Sequence, residues 1–318
     1  MPKYELKIGA ATREAWGKAL VELGRENPNV VVCDADLAKS TFTHLFQKEF
    51  PERFFSCGIA ESNMVSIGAG MAASGKLAFV ASFAAFVINK GFEQLRVTVA
   101  YPNVNLKVVG THAGISIGED GPSQMSAEDL GLACALAGFV VLSPADEVSM
   151  FALVKAAAAH VGPVYIRAGR TKVPVIYDAN QKFEIGKSIQ LTDGNDVTII
   201  SHGLMVAESL KAAEILLAEG IGARVIDMHT IKPLDHEAIT RAAVETGAIA
   251  VVEEHFVKSG LGVLVAQVVA ETHHCAMAFF GVDDRYAESG TPEQLLEHYH
   301  MNAAAVVNAA RQAMMRKK

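Results

Sequence analysis

Short apolar runs alternate with segments of helical periodicity along the whole chain, and this alternation constrains the fold more than any other sequence feature. Runs this short and rich in Val and Ile are typical of strands buried on both faces of a parallel sheet, with the helical segments as crossovers. In the first half, the predicted strands span residues 30–33, 77–80, 106–109, 140–142 and 164–166, and helices are predicted near 12–24, 60–73, 84–99, 126–138 and 146–159.

The same pattern starts again in the second half, after a segment that interrupts it. Residues 170–190 contain Pro174, Gly186 and a turn-like Asp178-Ala179-Asn180, and we interpret them as a connection. The strands predicted beyond it span residues 196–200, 223–226, 248–252 and 277–280. Because crossovers between parallel strands are right-handed, each half predicts a doubly wound α/β domain. We expect a larger domain with a mostly parallel sheet over 1–172, a linker over 173–190 and a smaller domain over 191–318.

Composition narrows the class of protein. A chain of 318 residues with 51% hydrophobic and 20% charged residues has enough apolar surface for two cores. Its formal net charge of −7 argues against nucleic acid or an anionic membrane as the main partner.

Nothing in the sequence predicts export or membrane insertion. No segment reaches the roughly 18 apolar residues of a membrane span, and residues 1–6 lack the basic and apolar order of a secretory signal. The four cysteines include no C-x-x-C pair, which is typical of reduced thiols in a cytosol. We expect a cytoplasmic protein.

A glycine motif at residues 68–73 fits the dinucleotide pattern G-x-G-x-x-A. That pattern requires a strand before the glycines and a helix that begins at them. Residues 61–67 have helical character instead, so we expect both glycines inside a helix, where small residues allow close packing. The motif therefore does not predict NAD binding.

Glu61 is the first candidate for chemistry. It follows a strand-like segment over residues 53–57 and falls in the first turn of a predicted helix, where a carboxylate is favoured by the helix dipole alone. Its neighbours Ile59, Met64 and Val65 are too apolar for a simple solvated cap. We therefore expect a carboxylate held away from water.

Two further segments end predicted strands of the first half. Phe83 and Phe86 lie where a strand runs into a helix, and they could pack in the core or face a flat heterocycle. The next such loop spans residues 110–124 and carries His112, Asp120 and Gln124 among many glycines, which packing does not explain.

A basic pair, Arg167 and Arg170, follows the last strand of the first half. A guanidinium in this place could bind a phosphate, and a surface salt bridge is the alternative for either residue.

Taken together, GIAESN (58–63), SFAAF (82–86) and THAGISIGEDGPSQMSAEDL (111–130) resemble, in order and spacing, the C-terminal half of transketolase, a thiamine-diphosphate enzyme. The resemblance covers the whole first domain and, more loosely, the second. It implies a thiamine-pyrimidine-binding domain followed by a transketolase C-terminal-type domain.

The resemblance assigns roles residue by residue. Glu61 matches the carboxylate that hydrogen-bonds N1′ of the cofactor pyrimidine, Phe86 matches the aromatic residue stacked on that ring, and Phe83 supports it. Gln124 and Asp36 match positions near the cofactor.

For the sugar, His112 and Asp120 match residues that contact the ketose carbonyl and hydroxyls. Arg13, Ser40 and Arg170 match the cluster that holds the sugar phosphate. The catalytic residues implied are thus Glu61 and His112. Some members of the family have a third aromatic residue at the position of Asn89, and this chain does not.

The metal- and diphosphate-binding motif of the family, Gly-Asp-Gly followed at a distance by Asn, is missing; residues 192–196 lack its spacing. This implies one subunit of a split transketolase that needs an N-terminal-type subunit, in an expected α₂β₂ arrangement. Mg²⁺ or Ca²⁺ would be bound by the partner, with no metal ligand in this chain.

The reaction implied is ketol transfer from a ketose phosphate to an aldose phosphate, in the pentose phosphate pathway or a specialised sugar catabolic route. A 2-oxo-acid dehydrogenase E1 β-like subunit, a 1-deoxyxylulose-5-phosphate synthase-like subunit and a silent assembly subunit are the alternatives.

The remaining histidines suggest no chemistry of their own. We expect His202 to pack or to hydrogen-bond in the second domain, and His255 to lie in a structural segment. His273 and His274 lack further metal ligands at useful spacing.

Overall fold

Two open sheets, each covered by helices, organise the computed structural model of the protein, which describes residues 6–317. The prediction that residues 1–6 lack a secretory signal falls, except for residue 6, outside the described residues. The strands are β1 (Ile8–Ala11), β2 (Val30–Asp34), β3 (Phe54–Ser56), β4 (Leu77–Phe83), β5 (Leu106–Thr111), β6 (Val140–Leu142), β7 (Val164–Arg167), β8 (Lys172–Pro174), β9 (Ile189–Gln190), β10 (Val197–Ser201), β11 (Ala223–Asp227), β12 (Thr230–Lys232), β13 (Ala248–Phe256) and β14 (Ala276–Val282).

Helices connect most of the parallel strands. They are α1 (Thr12–Glu26), α2 (Ala38–Thr41), α3 (His44–Glu49), α4 (Glu61–Ala73), α5 (Ala84–Lys90), α6 (Phe92–Gln94), α7 (Asp129–Ala135), α8 (Glu147–Ala159), α9 (Met205–Ala218), α10 (His236–Thr246), α11 (Leu261–Glu271), α12 (Pro292–His298) and α13 (Ala303–Met315). A 3₁₀ turn spans Pro51–Arg53 and a π-helical segment spans Leu95–Ala100.

The larger sheet has seven strands in the order β12-β6-β7-β5-β4-β2-β3. All pairings among its first-half strands are parallel, as the buried apolar runs predict. The smaller sheet has the order β14-β13-β10-β11-β9, with its four longer strands parallel. The predicted α/β class with two doubly wound domains is confirmed.

One pairing crosses between the halves of the chain. Strand β12 comes from the second half but pairs antiparallel with β6 at the edge of the larger sheet. Its three residues are too few to show a periodic signal, and sequence analysis missed it. Strands β8 and β9 lie inside or at the edge of the expected linker and pair with β1 and β11. The boundaries 1–172, 173–190 and 191–318 remain a prediction.

The glycines of the G-x-G-x-x-A motif lie inside α4, as predicted. At Gly68, an added Cβ would collide with Val80 of β4, so close helix–sheet packing explains this glycine. At Gly70, nothing lies within 4 Å of an added Cβ, and the packing explanation is wrong for that position.

Arg167 is buried and forms part of the contact between the two halves. Its Nε donates to Asp129 Oδ2 at 3.0 Å, and its Nη2 donates to the Glu254 carbonyl oxygen at 2.9 Å. Tyr165 also donates to Asp129 Oδ2, at 2.8 Å. The idea that Arg167 binds a phosphate or lies in a surface salt bridge is therefore wrong, because a buried carboxylate already pairs with it.

Within residues 6–317, no helix is long and apolar enough to cross a membrane.

Replacing Arg167 with Met should destabilise the protein by about 3–5 kcal/mol, because the buried Asp129 carboxylate would lose its counter-charge. The matched change Arg25→Met should cost less than about 1 kcal/mol, since Arg25 is 60% exposed and pairs with Glu49 at the surface. Urea unfolding followed by circular dichroism measures both. Equal, small losses for the two variants would contradict a buried ion pair between Arg167 and Asp129.

Candidate functional site

The candidate site lies at the carboxyl edge of the larger sheet. Strands β4 and β5 pair in parallel with Phe83 opposite Thr111, so the residues after both strands meet at this edge. Ligands in open α/β sheets bind at such edges. Phe83 ends β4, and His112 follows β5 directly.

An aromatic stack forms where these strands end. The Phe83 and Phe86 rings are stacked with centroids 5.4 Å apart at 13°, and the His112 ring lies 3.8 Å from Phe83 at 27°. Phe83 and His112 are buried, whereas Phe86 is half-buried and so accessible. His112 has φ of +58°, a backbone conformation that is uncommon for a non-glycine residue and that directs its ring at the stack.

The hydrogen bonds of His112 define its tautomer. Arg13 Nη1 lies 2.8 Å from Nε2, and since a guanidinium only donates, Nε2 must accept. Nδ1 then carries the proton and donates to Thr111 Oγ1 at 2.9 Å, while that hydroxyl donates to the Ser82 carbonyl oxygen. Burial, then the charges of Arg13 and Arg170, lower the pKa of His112 to about 2. The imidazole is therefore neutral at physiological pH.

Arg13 lies at the centre of the predicted sugar-phosphate cluster. It sits at the start of α1, and its Nη1 also donates to the Ser40 carbonyl oxygen at 2.8 Å. Its guanidinium lies over the Phe42 ring, 5.3 Å from the centroid. Burial, followed by the nearby charge of Arg170, lowers the pKa of Arg13. Its Nε is buried without a partner among residues 6–317, so the group retains a free donor.

The segment that carries Ser40 is held by Asp34, which sequence analysis did not identify. The buried Asp34 carboxylate accepts from Thr41 Oγ1 at 2.7 Å, Thr43 Oγ1 at 2.9 Å and the Leu37 backbone N–H at 2.6 Å. Burial raises the pKa of Asp34. In the sequence, only the position of Asp34 at the end of a strand could have indicated this role. The structure shows the role through the hydrogen bonds from the Thr41 and Thr43 hydroxyls.

Arg170 and the long loop form the outer part of the site. Arg170 Nη1 donates to the Ile117 carbonyl oxygen and to Glu119 Oε2, the latter at 2.6 Å. Asp120 is exposed, and its charge raises the pKa of Arg13, against the larger effect of burial.

Asp36 and Gln124 are less closely connected to the other predicted residues. Asp36 is exposed with φ of +64°, and Gln124 is half-buried and accepts from the neighbouring Ser123. Across residues 6–317, neither side chain hydrogen-bonds to another residue of the predicted set. Both lie in segments that border the site, after β2 and in the loop after β5.

Glu61 is buried at the start of α4, with 3% of its surface exposed. The expectation of a carboxylate held away from water is confirmed. Lys90, at the end of α5, was not predicted: its Nζ lies 3.1 Å from Glu61 Oε2 and 4.5 Å from the Phe86 centroid. Asn89, at the position where some family members carry an aromatic residue, is exposed and donates to Glu128 at 3.0 Å.

The second half of the chain holds the loop after β5 in place. Glu254 Oε1 accepts from the Ser116 backbone N–H at 2.7 Å, and burial raises the pKa of this carboxyl group. Gly114 has φ of +82°, and an added Cβ there would collide with the Glu254 carboxylate. The loop with His112 and Asp120 is thus fixed from both halves.

His202 and His255 lie in the contact between the two halves of the chain. His202 is buried and its Nδ1 lies 2.8 Å from Ser143 Oγ, a hydrogen-bonded role as expected. His255 is buried, and its Nε2 accepts from the Leu130 backbone N–H at 3.2 Å. No grouping of three or more His, Cys, Asp or Glu side chains suited to a metal occurs in the described part of the chain.

Two family descriptions match most of the chain. Residues 9–175 match "Transketolase, pyrimidine binding domain", and residues 186–306 match "Transketolase, C-terminal domain".

Among curated proteins, a transketolase C-terminal section from Methanocaldococcus jannaschii is 40% identical over 305 residues, which is 95% of this chain and 96% of that protein. A 6-deoxy-6-sulfo-D-fructose transketolase subunit from a Clostridium species is 37% identical, over 96% of this chain and 95% of its own. Human transketolase is 38% identical over 98% of this chain, which spans only 50% of the human protein.

The similarity extends to solved structures. A chain described as a split gene transketolase in an inactive β₄ tetramer is 47% identical and has a TM-score of 0.92. The superposition covers 98% of this chain and 100% of that chain. Because both domain descriptions and these relatives agree, the chain belongs to the transketolase family and contains its pyrimidine-binding and C-terminal domains.

Proposed function

We propose that this chain is the C-terminal subunit of a split transketolase, which transfers a two-carbon ketol unit from a ketose phosphate to an aldose phosphate. The observation that carries the proposal is the meeting, at one sheet edge, of the buried Glu61 carboxylate, the accessible Phe86 ring and the neutral His112 imidazole beside Arg13. A carboxylate, an aromatic face and a cationic end are what a thiamine coenzyme and a sugar phosphate require.

Thiamine diphosphate supplies, when bound, the nucleophilic carbon that adds to the ketose carbonyl. The residues present fit its pyrimidine ring. Glu61, which is buried, would hydrogen-bond the ring nitrogen and hold or return its proton, and Phe86, backed by Phe83, would offer a flat apolar surface. We propose Asp36 and Gln124 as further cofactor contacts, because both lie on segments that border the site.

The sugar would lie along the path from His112 to Arg170. A neutral imidazole can hydrogen-bond a substrate oxygen without adding a third positive charge beside the two guanidinium groups. Asp120 would orient the hydroxyls of the donor. Arg13, Ser40 and Arg170 would bind the distal anion through charge-assisted hydrogen bonds. The name of the Clostridium relative specifies a sulfonated sugar, whose anionic end is the same kind of group.

We further propose that activity requires an N-terminal-type subunit, which would bind the diphosphate and a Mg²⁺ or Ca²⁺ ion, in an α₂β₂ assembly in the cytoplasm. The chain spans about half of full-length relatives such as the human enzyme. The similar structure described as an inactive β₄ tetramer also supports this, since an assembly of β chains alone is described there as inactive.

The alternatives have less support. A 2-oxo-acid dehydrogenase E1 β-like or 1-deoxyxylulose-5-phosphate synthase-like activity needs the same cofactor, but both family descriptions and the relatives reported above are transketolase-like. A silent assembly subunit has no chemical reason to keep Glu61, Phe86 and His112 together.

Reconstitution is the primary test. This chain, mixed with an N-terminal-type transketolase subunit, thiamine diphosphate and Mg²⁺, should transfer ketol units between phosphorylated sugars, and each chain alone should not. Turnover by this chain alone would contradict the split-subunit proposal. Reduction of a lipoyl domain, or condensation of pyruvate, in place of ketol transfer would favour an alternative.

In the reconstituted enzyme, Glu61→Gln should lower kcat about 10²–10⁴-fold, because an amide keeps the shape of the side chain but cannot hold the proton of the ring nitrogen. Glu237→Gln is the matched control: Glu237 also lies in the first turn of a helix, but its side chain is 75% exposed. Steady-state kinetics measures both. Wild-type kcat in Glu61→Gln would eliminate Glu61 as the catalytic carboxylate.

Arg170→Met should raise KM for a phosphorylated ketose about tenfold and leave kcat within about twofold, since a lost charge-assisted hydrogen bond costs roughly 1.5 kcal/mol. KM for an unphosphorylated ketose should not change. Lys172→Met, an exposed basic residue two positions on, controls for net charge. An equal rise for both ketoses would show that Arg170 does not bind the phosphate.

A further inference from the structure

The catalytic carboxylate proposed above has a partner that sequence analysis did not anticipate. Lys90 Nζ lies 3.1 Å from Glu61 Oε2, and the two side chains differ sharply in exposure, at 51% for Lys90 and 3% for Glu61. A buried carboxylate without a counter-charge is unfavourable, so this ammonium stabilises it. The same carboxylate is the group proposed to bind the cofactor ring.

The ammonium also covers the proposed stacking surface. Lys90 Nζ lies 4.5 Å from the centroid of the Phe86 ring, in a cation–π arrangement. The Phe83 ring is stacked on Phe86 as well, so the ammonium adds to the cover of an aromatic ring that a ligand would have to reach. One side chain therefore contacts both groups that the pyrimidine would use.

The backbone of Lys90 is fixed beside Glu61. Ser62 Oγ, on the residue after Glu61, donates to the Lys90 carbonyl oxygen at 2.5 Å. This bond connects the end of α5 to the start of α4, so the lysine side chain leaves the backbone at a set distance from the carboxylate. Only the flexible four-carbon stem has to move for the ammonium to reach water.

We propose that Lys90 is a placeholder in the pyrimidine site: its ammonium pairs with Glu61 and covers Phe86 until the cofactor ring displaces it. This inference rests on the proposed function, because it takes Glu61 and Phe86 as the pyrimidine contacts. It goes further by assigning Lys90 a competing role. Cofactor affinity is then set partly by the strength of an internal ion pair, and the ion pair protects the buried carboxylate of the cofactor-free chain.

The cofactor-free chain gives the first measurement, which needs no activity. Lys90→Met should lower its melting temperature by about 2–4 °C, because Glu61 loses its counter-charge. In a Glu61→Gln background the same change should shift it by less than about 1 °C, since no buried charge remains to be paired. Equal shifts in both backgrounds would overturn the pairing role.

Cofactor binding gives the second measurement. Isothermal titration calorimetry of thiamine diphosphate with Mg²⁺ into the reconstituted complex should show Lys90→Met binding about five- to tenfold more tightly than wild type, because no ion pair has to be broken. Lys90→Arg keeps the charge and should stay within about twofold of wild type. Lys76→Met, an exposed lysine beyond the end of α4, should have no effect.

The outcomes separate this inference from the proposed function. Weaker or unchanged binding by Lys90→Met would overturn the placeholder role. Failure of the wild-type complex to bind thiamine diphosphate would instead refute the proposed function, whatever the melting temperatures show.

Discussion

The parallel pairing of β4 with β5 is the constraint on which the site depends. Its register sets Phe83 opposite Thr111 and thereby brings the aromatic pair and His112 to the same edge of the sheet. Gly110, one residue before the end of β5, makes this possible because an added Cβ would collide with the buried Tyr165 hydroxyl. A shift by one residue would turn the end of each strand to the opposite face of the sheet and separate the ring of His112 from the stack. Arg13 then joins the edge from the start of α1.

The second half of the chain contributes to the site without supplying its chemistry. Glu254 fixes the loop that follows His112 by accepting from the Ser116 backbone N–H, and Arg167 connects Asp129 of the first half to the Glu254 backbone. Both side chains are buried, so the two halves share one network of charges. A loop held from both sides can present His112 in its positive-φ conformation, which an unsupported loop would not maintain. The smaller domain therefore supports the loop that follows β5.

The sequence predicted the fold well where a signal is local. A strand is present at each apolar run that was predicted to form one, and the burial of Glu61 followed from its apolar neighbours. Contacts between distant segments were not predictable: β12 joins the larger sheet from the second half, Arg167 meets Asp129, and Lys90 meets Glu61. The roles assigned to Asp36, Gln124, Asp120 and the other site residues came from the resemblance to transketolase and remain proposals. Motifs identify candidate site residues such as Glu61. Only the packing of the chain shows which other side chains, such as Lys90, contact them.

In the proposed function, the buried carboxylate of Glu61 would hold the proton of the pyrimidine ring nitrogen, and the cofactor bound in this way would lose its C2 proton faster. The direct measurement is the rate of hydrogen–deuterium exchange at C2 of thiamine diphosphate, followed by NMR after acid quench, in the reconstituted complex without sugar. We expect fast exchange in the wild-type complex and an exchange rate at least about 100-fold lower in the Glu61→Gln complex with cofactor fully bound. The same exchange rate in both complexes would contradict the account.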